Sequence, residues 1–389
     1  MLPVAAWKLL LGVTCCCLCW WPAAACVHGE DQLSFVGDLG STGPKWSNGV
    51  VVGSAVYATP LSASSVLKID TVTDTVSLIG ELGNLQRKWE SAVAVGHFVY
   101  GIPFKSKAVL KVDTRSDTVN LIGDWGGADM KWASGVAIGP VLYGIPDNAH
   151  SVLRIDSRTD EVTLIGGELG STDLKWLNGL AVESVIYSVP YHASSILKVD
   201  TRTDVVSVIG DFGTSAGKWN ALVAVGSAIY GIPLNAKAIL KINTETEAVQ
   251  LIGDLGTTTG KWFSAVAIGN HVYGIPLNAK AVLKIDTTND DLSLLGETGS
   301  MVGKWFSSIA IGPVVYGIPL NAAHALKIDT RTGDVNLMGN LSSAKFKWSH
   351  AVAVGSMMYS IPSRAASVLK IESCGEGRDL RPPKPMLQV

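Results

Sequence analysis

Residues 261–303 read KWFSAVAIGNHVYGIPLNAKAVLKIDTTNDDLSLLGETGSMVG, and this stretch decides the fold. It holds four short apolar runs separated by turn residues. Ala265–Ile268 is closed by Gly269-Asn270, and His271–Ile275 is stopped by Pro276. Val282–Asp286 leads into Thr287-Thr288-Asn289-Asp290, and Leu292–Leu295 ends at Gly296. Runs this short, rich in Val and Ile and bounded by Gly, Pro, Asn or Asp, are strand signals. None reaches the ~10–12 residues a helix needs.

The opening Lys-Trp recurs at Trp46, Trp89, Trp132, Trp176, Trp219, Trp262, Trp305 and Trp348, each step 43 residues except one of 44. A fixed period of this length marks stacked units, none of which can bury its apolar face alone. Four strands per repeat, eight repeats: this is the arithmetic of an all-β, eight-bladed β-propeller. The inner runs carry Ala, Gly and Val, as in Gly135-Val136-Ala137, which suits strands crowded near an axis.

The ends predict how the ring closes. The chain leaves the pattern after the eighth third strand, Val368–Glu372, without a fourth. Leu33–Gly40 matches Val76–Gly83 position by position, so the N-terminal strand supplies it in a one-plus-three closure that removes open edges. The alignment carries Cys374 to within three residues of Cys26, at the hairpin end of the closing blade, and predicts a disulfide between them.

ILKVDTRTDVV at 196–206, with strands such as VYGIP at 272–276, resembles YVTN-type propeller repeats and, more loosely, quinoprotein-type repeats. The resemblance covers Leu33 to Ser373 and implies a fold rather than an activity. The mature chain lacks the vicinal cysteine pair of the quinoproteins, and no cofactor is expected.

Residues 1–25 are a different text. Lys8, the apolar run from Leu9 to Trp21 and Ala23-Ala24-Ala25 describe a secretory signal peptide, too short for a spanning helix. The domain reading is signal peptide 1–25, propeller 26–374 and a disordered tail 375–389; a secreted or cell-surface monomer is expected, with no membrane span once the signal is removed. Four of the six cysteines lie in the signal, which leaves Cys26 and Cys374. Asn340-Leu341-Ser342 is a glycosylation sequon at Asn340. Of 389 residues only 16% are charged, and the formal charge of −2 attracts no nucleic acid.

Repetition constrains function. Tyr and Pro of the second strand, from Tyr57 and Pro60 to Tyr359 and Pro362, read as packing and strand-ending residues. Asp70 and its equivalents read as Asx-turn acids. HExxH and phosphate-loop motifs are absent, and no metal site is expected.

The Lys-Trp pairs are assigned to the connection between blades. They are Lys45/Trp46, Lys88/Trp89, Lys131/Trp132, Lys175/Trp176, Lys218/Trp219, Lys261/Trp262, Lys304/Trp305 and Lys347/Trp348. They present either a ring of binding aromatics on one face or a set of interblade wedges. The loops after the prolines vary from blade to blade, through Ser64, Lys107, His150, Ser194, Lys237, Lys280, Ala323 and Ala366. The preferred reading is a non-catalytic scaffold that binds a protein or carbohydrate on the Lys-Trp loop face. The alternative is a hydrolase or oxidoreductase with one axial site, for which Glu90, Asn178, Asn220 and His350 are candidates.

Overall fold

The computed structural model describes residues 30–127 and 129–374. The expected signal peptide, Cys26 and the expected tail from 375 onward lie outside the described residues. Within them the chain forms eight four-stranded antiparallel sheets in a closed ring. Blades 1 to 7 span Trp46–Ile79, Trp89–Ile122, Trp132–Ile165, Leu180–Ile209, Trp219–Ile252, Trp262–Leu295 and Trp305–Met338. Blade 8 takes three strands from Trp348–Glu372 and its outer strand from Gln32–Val36, whose register runs from Gln32 opposite Glu372 to Val36 opposite Val368. The one-plus-three closure is therefore present, in the register the repeat alignment predicts. Among the described residues there is no helix long and apolar enough to cross a membrane.

One boundary differs from the sequence reading. Trp262 is the first residue of the inner strand, paired with Pro276 across a bulge, rather than part of a connection. The tryptophan begins the inner strand in seven blades. The bulge takes up the residue after it, so the indole and the next inward side chain point to different surfaces. Blade 4 is the exception: its inner strand is only Leu180–Val182, and the Ser188 hydroxyl donates to the Asn178 carbonyl instead.

The core lies between blades. Trp89, at the start of blade 2, packs with Tyr57, Val66 and Ile79 of blade 1 and with Leu110 and Val112 of its own blade. Seven further clusters repeat this arrangement around the ring. Small inner-strand residues are required: a Cβ on Gly135 would lie 2.6 Å from Ile102 of the preceding blade.

At the end away from the Lys-Trp loops, neighbouring blades are latched. Tyr57 and Lys68 of blade 1 both donate to the Asp117 carboxylate of blade 2, at 3.3 and 2.6 Å. Tyr143 and Arg154 meet Asp204, and Tyr230 and Lys241 meet Asp290, in the same way. At the closure the N-terminal Asp31 accepts from Tyr316 at 2.7 Å and Lys327 at 2.6 Å, and its other oxygen accepts the Cys374 N–H. The latch acids sit at positive φ in the hairpin turn, 53° at Asp74 and 54° at Asp117. Gly333 holds the equivalent position in blade 7, which leaves Lys284 without a latch acid. The third-strand acids behave as read: Asp70 Oδ1 accepts the N–H groups of Val72 and Thr73.

Candidate binding site at the axial mouth

The Lys-Trp pairs form an inner frame. All eight tryptophans are 1–3% exposed and all eight lysines 1–9%. Each indole N–H donates, at 2.8–3.0 Å, to the carbonyl 19 residues further on, such as Ala281 for Trp262. Lysine heads cap loop carbonyls: Lys88 Nζ donates to Ala63 of the preceding blade at 2.7 Å and to Gly83 and Leu85 at 3.0 Å. Burial pulls the pKa of Lys45, Lys88, Lys218, Lys304 and Lys347 down to about 8. The main chain of each lysine bridges two loops: Lys261 N–H donates to Leu234 of blade 5, and its carbonyl accepts from Leu277 and Ala279 of blade 6. These side chains offer a ligand little accessible surface, and what it would meet on this end is supplied by their neighbours.

Those neighbours converge on the axis. The one to three residues after each tryptophan, with parts of four loops, line a cavity of about 440 Å³. Glu90, Asn178, Asn220 and His350, which the sequence scatters over four blades, all line it. Asn178 donates to the Asn220 carbonyl at 3.2 Å, and Asn220 in turn donates to the Phe263 carbonyl at 2.7 Å, so an amide ladder crosses from blade 4 to blade 6. Phe263 and Phe306 stack with ring centroids 4.0 Å apart. His350 keeps some surface, but its Nδ1 is buried without a partner among the described residues, and desolvation pulls its pKa down to about 4.

Sequence reasoning missed Asp147, Arg87 and the phenylalanine pair. Asp147 follows Pro146, where other blades carry Leu61, Phe104, Tyr191, Leu234, Leu277, Leu320 and Ser363. That single acid at an otherwise largely apolar position was the available signal. Asp147 is 0% exposed, and neither carboxylate oxygen has a hydrogen-bond partner among the described residues. Burial first, then the Glu90 charge, push its pKa up to about 7. Arg87 lies within 3.2 Å of the Glu90 carboxylate, and its guanidinium also stacks 4.5 Å from the Phe104 ring centroid. Burial raises the Glu90 pKa, and Arg87 opposes it. Arg87 sits at φ 58°, in a slot filled by Gly217, Gly260 and Gly303 elsewhere.

Beyond the mouth, a second axial cavity of about 510 Å³ is lined by Val, Ala, Gly and Leu, including Val50, Val93, Val136 and Leu180. The specific polar chemistry therefore belongs to the Lys-Trp end. No described group of three or more His, Cys, Asp or Glu could hold a metal ion. Asn340 is exposed on the loop after blade 7.

No protein-family model matches the chain, and no curated protein matches it. Solved structures do match. The computationally designed Ika8 protein superposes with a TM-score of 0.66 at 10% identity, over 87% of this chain and 99% of its own. BamB from Moraxella catarrhalis gives 0.63 at 10% identity, over 88% and 100%. Virginiamycin B lyase from Staphylococcus aureus gives 0.57 at 12% identity, over 88% and 99%. The likeness is one of fold. A designed protein, BamB and a lyase share the propeller, so the site must argue for itself.

Proposed function

We propose that this chain is a secreted, non-catalytic binding scaffold of YVTN-like repeats that takes a protein or glycan ligand at the axial mouth on the Lys-Trp end. One observation carries this reading. The departures from eightfold repetition in chemistry, Glu90, Asp147, Asn178, Asn220, the Phe263–Phe306 pair and His350, gather around one cavity. A concave site with an apolar wall and a few convergent polar groups is the usual form of a binding pocket. The Lys-Trp ring holds that cavity open as a frame.

The test is a glycan and secreted-protein binding screen with residues 26–374, repeated with Asn178→Ala and Phe263→Ala. A ligand whose affinity falls in both variants, with melting temperatures near the parent's, supports the site. A ligand indifferent to both would place binding elsewhere on the ring.

A second reading rests on Glu90 and Asp147. Two carboxylates in different environments, one paired with Arg87 and one unpartnered, can divide acid and base roles between them. Turnover of any ligand found in the screen, abolished in both Glu90→Gln and Asp147→Asn, would favour the enzyme.

A further inference from the structure

The mouth has an electrical direction. Blades follow one another around the ring in chain order, so blade 2 stands opposite blade 6 and blade 3 opposite blade 7. Glu90 belongs to blade 2, Arg87 to the loop that leads into it and Asp147 to blade 3. Phe263 and Phe306 are the second residues of blades 6 and 7. An acidic edge therefore faces an aromatic edge across the axis.

The charges on the acidic edge do not balance. Arg87 is engaged by Glu90 at 3.2 and 3.5 Å, which leaves that pair neutral. Lys175, whose field also reaches Asp147, turns its ammonium to the Thr172 carbonyl at 3.2 Å and does not line the cavity. His350, also on the lining, is neutral near pH 7. Asp147 remains, buried, with both oxygens unpaired. A buried carboxylate with no partner costs the fold free energy, and its charge favours a cation in the adjoining cavity. No group of three or more His, Cys, Asp or Glu gathers there for a metal ion among the described residues. A neutral polyol would leave the charge uncompensated. A cation fits both edges, because ammonium groups are attracted both to carboxylates and to aromatic faces.

We propose that the axial mouth binds an organic ammonium: a protonated amine on a compact apolar body, with its nitrogen on the Asp147 side of the mouth and its body against Phe263 and Phe306. This rests on the reading of the mouth as the ligand site and names the ligand's chemistry. The volume of about 440 Å³ lies within the range of about 300–1,000 Å³ usual for small-ligand pockets. Two sources carry this chemistry: a free aromatic amine, or a lysine beside an aromatic residue on a protein.

Isothermal titration of the propeller at pH 8 with benzylammonium, benzyl alcohol and benzoate tests the assignment. Saturable one-to-one binding of benzylammonium is expected, with benzyl alcohol at least tenfold weaker and benzoate weaker still. Asp147→Asn, which keeps the side-chain shape and removes the buried charge, should melt no lower than the parent and bind benzylammonium at least tenfold more weakly. Phe263→Ala should weaken the cation and the alcohol alike. Equal affinity for cation and alcohol, tighter binding of benzoate, or full affinity in Asp147→Asn would each overturn the ammonium assignment while leaving the mouth a binding site. Failure of all three probes, together with an empty glycan and protein screen, would remove the binding reading as well. A Phe-Lys peptide that displaces benzylammonium, and no longer does so when its lysine is acetylated, identifies the protein source; a peptide that fails to displace it identifies the free amine.

Discussion

At the scale of single residues, Asp147 and Trp262 make opposite demands on the fold. Asp147 costs stability. Its pKa rises from 3.8 to about 7, with burial the largest cause, Glu90 next, Lys175 and Arg87 opposing and Asp173 adding. Between these values the folded chain holds a proton that the unfolded chain has released, so this contribution to stability falls as pH rises from 4 to 7. His350, lowered from 6.5 to about 4, works the other way, because there the unfolded chain holds the proton. The two contributions oppose each other between pH 4 and 6.5. Asp147→Asn should expose the histidine's part: its melting temperature should climb with pH over that window more steeply than the parent's, and exceed the parent's above pH 7. Parallel melting curves at every pH would contradict the buried, unpaired charge. Trp262 gives stability. It is 3% exposed and packs between Tyr230 and Ile232 of blade 5 and Leu283 and Ile285 of its own blade. Trp262→Ala should destabilise the ring by ~3–5 kcal/mol, as large-to-small core changes do. Denaturant unfolding measures it, and a loss below ~1 kcal/mol would show that the indole is no wedge.

At the scale of elements, the closing blade is where a covalent turn is replaced by side chains. Asp31, its side chain 2% exposed, gathers Lys327, Tyr316 and the Cys374 N–H around one carboxylate. Removing one partner of a buried ion pair strands the other, at a cost of ~3–5 kcal/mol. Asp31→Ala should therefore destabilise by about that much, and Asp74→Ala by less, because Asp74 is 39% exposed. Equal losses at the two sites would mean that closure carries no special weight. The register of Gln32–Val36 with Val368–Glu372 sets Asp31, five residues after Cys26 in sequence, beside Cys374. We propose the Cys26–Cys374 bond as the covalent link that other blades obtain from a turn. Closing a loop of this length is worth ~5 kcal/mol by the chain-entropy relation. Peptide mapping of the unreduced protein should recover the two cysteines in one linked peptide; two free thiols would refute the bond.

At the scale of the whole molecule, the ring was legible because it is written eight times. Period, strand count, closure and register follow from turn residues and from the match of Leu33–Gly40 to Val76–Gly83. Four mouth residues were legible too, since Glu90, Asn178, Asn220 and His350 stand beside a repeated tryptophan. Asp147 was not, because it reaches the mouth from a loop 58 residues after Trp89, and only the ring brings it beside Glu90. The roles of the Lys-Trp pairs were ambiguous for a related reason. A repeated aromatic serves a wedge or a platform equally well in sequence, and only burial separates the two. The latches went unread because each joins a tyrosine, a base and an acid from adjacent blades, as in Tyr57, Lys68 and Asp117.

The central claim is that function sits where the repeat breaks, at the axial mouth framed by the Lys-Trp ring. Hydrogen–deuterium exchange with and without saturating benzylammonium, or whichever ligand the screen retains, tests it most directly. Added protection should fall on peptides containing Arg87–Ser91, Pro146–Asn148, Leu177–Gly179 and Phe263–Ser264, with the outer strands and the latch hairpins unchanged. Protection confined to the outer strands, such as Thr75–Ile79 and Asp291–Leu295, or to the opposite end of the ring, would contradict it.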